Sequence, residues 1–117
     1  MDGMRVLKSF YVAGTNGGAK TLYWVVPCGL TLVRVDASVA SSPGTFDLGP
    51  STDPDGIIND GVPGTTTTPG TFDPADFNGA LCDQISPYHF AKDTVVELGL
   101  SASSQVDLDV TLTLLEG

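Results

Sequence analysis

Along residues 105–115, polar and apolar side chains alternate almost without interruption. Val106, Leu108, Val110, Leu112 and Leu114 fall on one side of an extended backbone, and Asp107, Asp109, Thr111 and Thr113 fall on the other. A helix would scatter the apolar residues around its circumference. A strand buried on both faces would not carry two aspartates at its centre. The pattern therefore predicts a strand of an antiparallel sheet, with one face buried and the other in water.

The same reading predicts strands over 5–13, 21–26 and 30–39. In the third, Val33, Val35, Ala37 and Val39 share a face opposite Arg34, Asp36 and Ser38. Between the first two, Asn16-Gly17-Gly18 offers the left-handed backbone of a tight connection, and Pro27-Cys28-Gly29 breaks the ladder before the third. Shorter strands are expected over 45–48, 81–85, 88–91 and 94–100, with a few extended residues at Ile57-Ile58. Residues 50–79 read as an irregular excursion. Within it, 62–77 holds Pro63-Gly64, four consecutive threonines and Pro69-Gly70, with one helical turn expected over 74–77 capped by Asp73. Pro-Gly-Thr-Phe-Asp occurs at both 43–47 and 69–73. Two copies fall short of a repeat architecture, and recurrent turn chemistry, with Phe anchoring the next segment, accounts for them better than a duplicated binding loop.

About seven or eight short strands with little helix predict an all-β, antiparallel β-sandwich, in its jelly-roll form, with a long central loop. An immunoglobulin-like sandwich fits less well, because Cys28, Trp24 and Cys82 do not fall in that fold's Cys, Trp, Cys order. The length of 117 residues suits one domain. Of these, 1–8 is expected as a contact arm.

Charge narrows the functional classes. A formal net charge of −9 with only five Lys and Arg leaves no basic footprint for nucleic acid. No apolar stretch has the form of a secretion signal, and none reaches the ~20 residues of a membrane-spanning helix. Two cysteines do not define a disulfide framework, and Cys28 and Cys82 read as separate reduced thiols.

Candidate chemistry is sparse. Asp53, Asp55 and Asp60 place oxygen donors close together, as calcium requires. Counted from Asp53, however, an EF-hand would need Gly where Ile58 stands and Glu where Gly64 stands, so a solvated acidic turn is the better reading. His89, the single histidine, lies among Tyr88 and Phe90 and reads as a packing or hydrogen-bonding residue instead of a general base. Ser101 lacks the glycine and helix of a nucleophile elbow. Cys28 has no neighbouring cation to activate it. Asp107 and Asp109 resemble a glycosidase carboxylate pair only in sharing a face. Tyr11, Tyr23, Trp24 and Tyr88 could contribute to a carbohydrate platform, but Tyr23 and Trp24 point to opposite faces of a regular strand. Gly14, Gly17 and Gly18 lack the lysine spacing and following helix of a phosphate loop. No enzyme activity, metal or cofactor is expected.

The stretch 23–35, the segment Ser42-Pro43-Gly44-Thr45-Phe46-Asp47-Leu48-Gly49 and the terminal alternating strand together resemble small jelly-roll virion proteins of tailed bacteriophages. The resemblance covers about two thirds of the chain as a texture of strands and Pro-Gly turns. It implies a capsid decoration or cement protein, assembled in the host cytoplasm onto the capsid surface, with the major capsid protein as partner and a homotrimer as the favoured oligomer. Contacts are then expected from Met4, Arg5 and Leu7 on the amino-terminal arm and from Phe72 and Phe77 in the central loop. A carbohydrate-binding module, or a tail accessory or adhesion domain, is the alternative.

Overall fold

In the computed structural model, which describes residues 4–78, 88–101 and 105–117, the long alternating stretches become the longest strands: β1 (Arg5–Thr15), β3 (Leu30–Val39) and β10 (Val106–Glu116). β10 lies between β1 and β3 and is antiparallel to both. Its row Leu108, Val110, Leu112 and Leu114 is buried, while Asp109, Thr111 and Thr113 remain partly in solvent. The second sheet runs in the order β2 (Lys20–Val25), β9 (Val95–Leu100), β4 (Phe46–Pro50) and β5 (Ile58–Gly61), antiparallel throughout. The inner faces meet in one core, with Phe10, Leu32 and Val35 from the first sheet and Phe46, Leu48 and Leu98 from the second. The chain is thus an all-β antiparallel sandwich.

The pairings are nested. β1 pairs with β10, β2 with β9, β3 with β8 (Tyr88–Phe90) and β4 with β5. Each successive pair lies in the other sheet, as though one long hairpin had been folded over itself. Two short segments are inserted between β5 and β8: β6 (Gly64–Thr65) and β7 (Gly70–Phe72). Together with β8 they tile the remaining edge of β3. β8 lies against Leu30–Leu32, β7 against Val35–Ala37, and β6 runs parallel at Ser38 and Val39.

The described part of the 50–79 segment, expected to be irregular, is therefore built into both sheets. Its turns are closed by backbone and threonine hydrogen bonds. The Thr65 amide donates to the Thr68 carbonyl at 3.0 Å, and the Thr68 amide donates to Thr65 Oγ1 at 3.0 Å. A Cβ at Gly64 would stand 2.1 Å from that same carbonyl, so glycine is what lets the loop close. Asp73 caps the turn at Pro74–Asp76 as expected, accepting from the Ala75 amide, while Asp76 accepts from the Asp73 amide.

Two local expectations differ from the structure. β1 does not turn back as a hairpin at Asn16-Gly17-Gly18 but runs to Thr15, and the chain then crosses to the other sheet. In that segment only Gly14, at φ +71, is left-handed. Asn16 is instead buried and bonded to Gln105. In β3, Val33 does not share the buried face of Val35. Arg34 lies opposite Thr113 and Leu32 opposite Leu114, so Val33 is an extra residue that shifts the buried row from Leu30 and Leu32 to Val35, Ala37 and Val39. The expected strand at 81–85 lies outside the described residues.

Gly49 supports the turn after β4, because a Cβ there would lie 2.2 Å from the Asp53 carbonyl oxygen. Gly99 has only Asp47 Cβ nearby, at 3.8 Å. Gly49→Ala is expected to cost about 2 kcal/mol or more, whereas Gly99→Ala stays within about 0.5 kcal/mol of the parent. Urea denaturation of the two variants checks the contrast.

Candidate interaction surface

β1 and β2 are the edge strands on one side of the sandwich. On β1 the even positions turn inward, which brings Lys8 to the seam between the sheets, where its Nζ lies 5.1 Å from the Phe10 ring centre and 5.7 Å from that of Trp24. A cation aimed inward along an edge strand opposes uncontrolled strand pairing. Around this seam the outward positions are unusually apolar: Leu7 and Tyr23 are each 64% exposed, and Met4, Tyr11 and Val25 are also exposed.

Met4, Arg5 and Leu7 are thus at the surface, but residues 5–8 do not form an arm. Arg5 pairs with Leu115, and the Met4 carbonyl accepts from the Glu116 amide at 2.9 Å, because the terminal strand is long enough to hold this whole segment in the sheet. Phe77 is fully buried, so it is a core residue and offers no contact surface. Phe72 is partly buried and meets Phe46 edge-on, with ring centres 5.5 Å apart. These are the two phenylalanines of the repeated Pro-Gly-Thr-Phe-Asp, packed against each other from opposite sheets. The two following aspartates also act alike: Asp47 accepts from the Asp60 amide at 2.8 Å, and Asp73 caps its turn.

The other titratable and nucleophilic candidates are separated by the fold. Asp107 adopts φ +51 at an irregularity between β1 and β10, where its Oδ1 accepts from the Gly14 amide at 2.7 Å and the Tyr11 hydroxyl at 3.5 Å. Asp109 accepts from Thr111 Oγ1. Both belong to strand geometry. Asp53 and Asp55 lie in the turn after β4 and Asp60 at the far end of β5, and no group of three or more potential metal ligands forms among the described residues. Partial desolvation, then the hydrogen bond and charge of Asp55, raise the Asp53 carboxyl above its ordinary range.

His89 is exposed, with Nδ1 3.1 Å from Thr31 Oγ1, and its ring packs beside Gly29. Cys28 is a partly buried free thiol 3.9 Å from Glu116 Oε2; Cys82 lies outside the described residues. Ser101 Oγ accepts from the Thr45 amide at 3.1 Å, which makes it part of a loop brace. Tyr23 points outward and Trp24 toward the core, so they share no platform.

Pattern reading missed the buried polar pair Asn16 and Gln105. Asn16 Nδ2 donates to the Ser101 carbonyl at 3.2 Å and to Gln105 Oε1 at 3.4 Å, and Gln105 Nε2 donates to the Pro43 carbonyl at 2.7 Å. These bonds tie three inter-sheet connections together at one end of the sandwich. Periodicity carries no signal for them, since both residues lie just outside strands.

On the side opposite β1 and β2, a groove of about 530 Å³ runs beside β5 and the Pro74–Asp76 turn, with Val62 and Phe72 as apolar lining and Asp60 and Asp76 as carboxylates. A smaller trough of about 320 Å³ crosses the second sheet at Gly99, where Lys20 and Thr21 share the lining with Asp47 and Asp60. On the outer face of the first sheet, Arg34 Nε bonds both Asp36 oxygens at 3.0 Å.

No protein-family model and no characterised relative matches the sequence. The fold is similar to a chain of the cyanophage Pam1 capsid asymmetric unit, with TM-score 0.58 and 13% identity over 97% of this chain and 84% of that one. Weaker likenesses are to the periplasmic g-type lysozyme inhibitor PliG of Salmonella Typhimurium, with TM-score 0.35 and 14% identity over 94% of this chain and 90% of that one. Another is the C-terminal CBM6 of the laminarinase LamC from Zobellia galactanivorans, with TM-score 0.40 and 11% identity over 100% and 98%. These last two carry no functional argument.

Substitutions at two positions test the assigned roles. Asp107→Ala is expected to cost about 1–2 kcal/mol through the orphaned Gly14 amide, and Asp107→Asn, which keeps an acceptor, to cost less. For Asp53 the folded-state value is raised, so ionisation is harder in the folded chain, and the penalty grows as pH rises from the unfolded value through the folded one. Asp53→Asn is therefore expected to be more stable than the parent at neutral pH, with the difference vanishing below about pH 3.8, the ordinary carboxyl value. Thermal melts across pH read both.

Proposed function

We propose that this chain is a structural protein of a phage virion, acting without catalysis as a capsid decoration or cement protein that stabilises the head by symmetric subunit contacts. The observation that carries the reading is the likeness of nearly the whole chain to a chain of a phage capsid asymmetric unit. The nested pairings, first strand with last and second with last but one, support the jelly-roll form of the sandwich. The proposed partner is the major capsid protein, the proposed location the outer capsid surface after assembly in the host cytoplasm, and the proposed oligomer a homotrimer.

Such a role suits a rigid scaffold whose working parts are surfaces. Weak contacts repeated by symmetry add up without an active site. A carbohydrate-binding module would want aromatic rings on one plane, and Tyr23 and Trp24 do not supply it. A tail accessory domain could use the same fold and differs in where it binds.

The test is co-sedimentation of the purified protein with matching expanded capsids and, separately, with tails. Saturable binding to capsids, with a native mass three times the 12.1 kDa of one chain, is expected. Binding to tails alone, or glycan-array binding by a monomer that ignores capsids, would overturn the reading.

A further inference from the structure

The backbone edge of β1 is open. β1 is the last strand of its sheet, and among the described residues no strand lies beyond it. The Glu116 amide donates to the Met4 carbonyl, so along β1 the even residues bond β10, and the amides and carbonyls of Arg5, Leu7, Ser9 and Tyr11 point away from the sheet. The side chains of these odd residues stand exposed, while Val6, Lys8 and Val12 are half-buried along the seam with β2. Of the large apolar side chains exposed among the described residues, Val62 alone lies away from this side of the sandwich.

We propose that β1 pairs with β1 of a second copy, antiparallel and across a two-fold axis at Ser9, so that the first sheets of the two copies become one. Pairing through the free amides sets odd residues against odd ones. Of the registers near the middle of the strand, the one centred on Lys8 sets two ammonium groups directly opposite each other, which is destabilising. The one centred on Phe10 sets Arg5 against Thr15, past the irregularity at Gly14, and loses that end of the ladder. Centred on Ser9, the ladder runs from Arg5 to Ala13. Leu7 then lies opposite Tyr11 of the second copy, Val6 opposite Val12, and Lys8 opposite Phe10, the type of ring its Nζ already faces at 5.1 Å within the chain. The two ends of the strand match as well. Arg5 comes opposite Ala13 of the second copy, next to the Gly14 amide that holds the Asp107 carboxylate. Within its own chain Arg5 shares a surface trough with Asp36 and Asp73, but among the described residues its guanidinium forms no ion pair. Antiparallel pairing therefore joins unlike ends twice, against the general repulsion of copies at a net charge of −9. The contact is isologous. A ladder over residues 5–13 is shorter than the roughly 20–30 residues a side of a stable interface, so pairing is reversible and grows with concentration. It goes beyond the trimer proposed above, which a two-fold contact cannot close, and joins one copy of a trimer to one copy of the next.

Cysteine cross-linking reads the register. Directly opposite residues of a hydrogen-bonded pair stand about 5.5 Å apart, within the span of a disulfide. Ser9→Cys is expected to oxidise, at high protein concentration, to a species of twice the 12.1 kDa of one chain on a denaturing, non-reducing gel. Leu7→Cys and Tyr11→Cys each stand roughly 13 Å from the same position in the second copy, so each alone is expected to stay single and a mixture of the two to cross-link. The parent, with Cys28 and Cys82 alone, is the control. A second pair of variants reads the backbone. Ser9→Pro removes an amide that points away from β10, a loss an edge strand tolerates, whereas Ser9→Ala keeps that amide. Sedimentation over a concentration series is expected to show Ser9→Ala associating like the parent, and Ser9→Pro, folded by circular dichroism, weakened at least about tenfold. A Ser9→Cys protein that does not cross-link, a Leu7→Cys protein that cross-links with itself, or a folded Ser9→Pro protein that associates like the parent would each overturn the proposal. Capsid co-sedimentation of the same samples separates the two ideas. A protein that cross-links at Ser9 and ignores capsids sinks only the capsid role, whereas one that binds capsids and shows no cross-link at Ser9 sinks only the pairing.

Discussion

The sandwich depends on seating its last strand between its first and third. β10 has a partner on each side along nearly its whole length, and its buried row of Leu108, Val110, Leu112 and Leu114 fills the middle of the first sheet. Without it, β1 has no partner and β3 keeps only the short segments β6, β7 and β8. The pairing of Arg5 with Leu115 joins nearly the two ends of the chain, so the entropy of closing that loop must be met before the sheet is complete. The nested arrangement eases this. Pairing can begin at β4 and β5, which are joined by a short turn, and work outward through β3 and β8, β2 and β9, and finally β1 and β10.

Two side-chain devices hold that closure in place at points where a regular ladder fails. Asp107 takes a left-handed conformation that allows β1 to carry an extra residue, and its carboxylate accepts from the amide of Gly14. Just before the strand, Gln105 accepts from the Asn16 amide through its carbonyl at 2.7 Å and reaches Pro43 with its side chain. A buried polar pair of this kind favours one register over its neighbours, since a slip of one residue would strand its hydrogen-bonding groups in the core.

Legibility in the sequence followed the strength of alternation. β3 has the expected bounds and β10 nearly so, because a run of alternating residues ten or so long leaves little freedom of phase. The bulge at Val33 was also encoded, as a phase change from Leu30 and Leu32 to Val35, Ala37 and Val39, but a single apolar residue at the junction masks it. The central segment was obscure for a different reason. β6 and β7 are two and three residues long, too short for any period, and they exist because β3 has an unpaired edge to offer. Surface candidates followed the same division: Arg5 and Leu7, expected on an arm, fall on outward positions of β1, while Phe77 could not be told from an exposed aromatic without knowing that its turn folds back over Ile57.

The repeated Pro-Gly-Thr-Phe-Asp shows how an unremarkable motif can shape a surface. In both copies the phenylalanine turns inward and the aspartate accepts a backbone amide, and the two rings meet edge-on between the sheets. Phe46 and Phe72 thereby fix β4 and β7 to one another on the side where β5 and the Pro74–Asp76 turn leave a groove. Asp47 and Asp73 are held by the backbone amides they accept from and by the packing of the phenylalanines beside them. A surface braced in this way needs little reorganisation on contact, and contacts made from preformed surfaces retain more of their gross energy than contacts made by ordering loops.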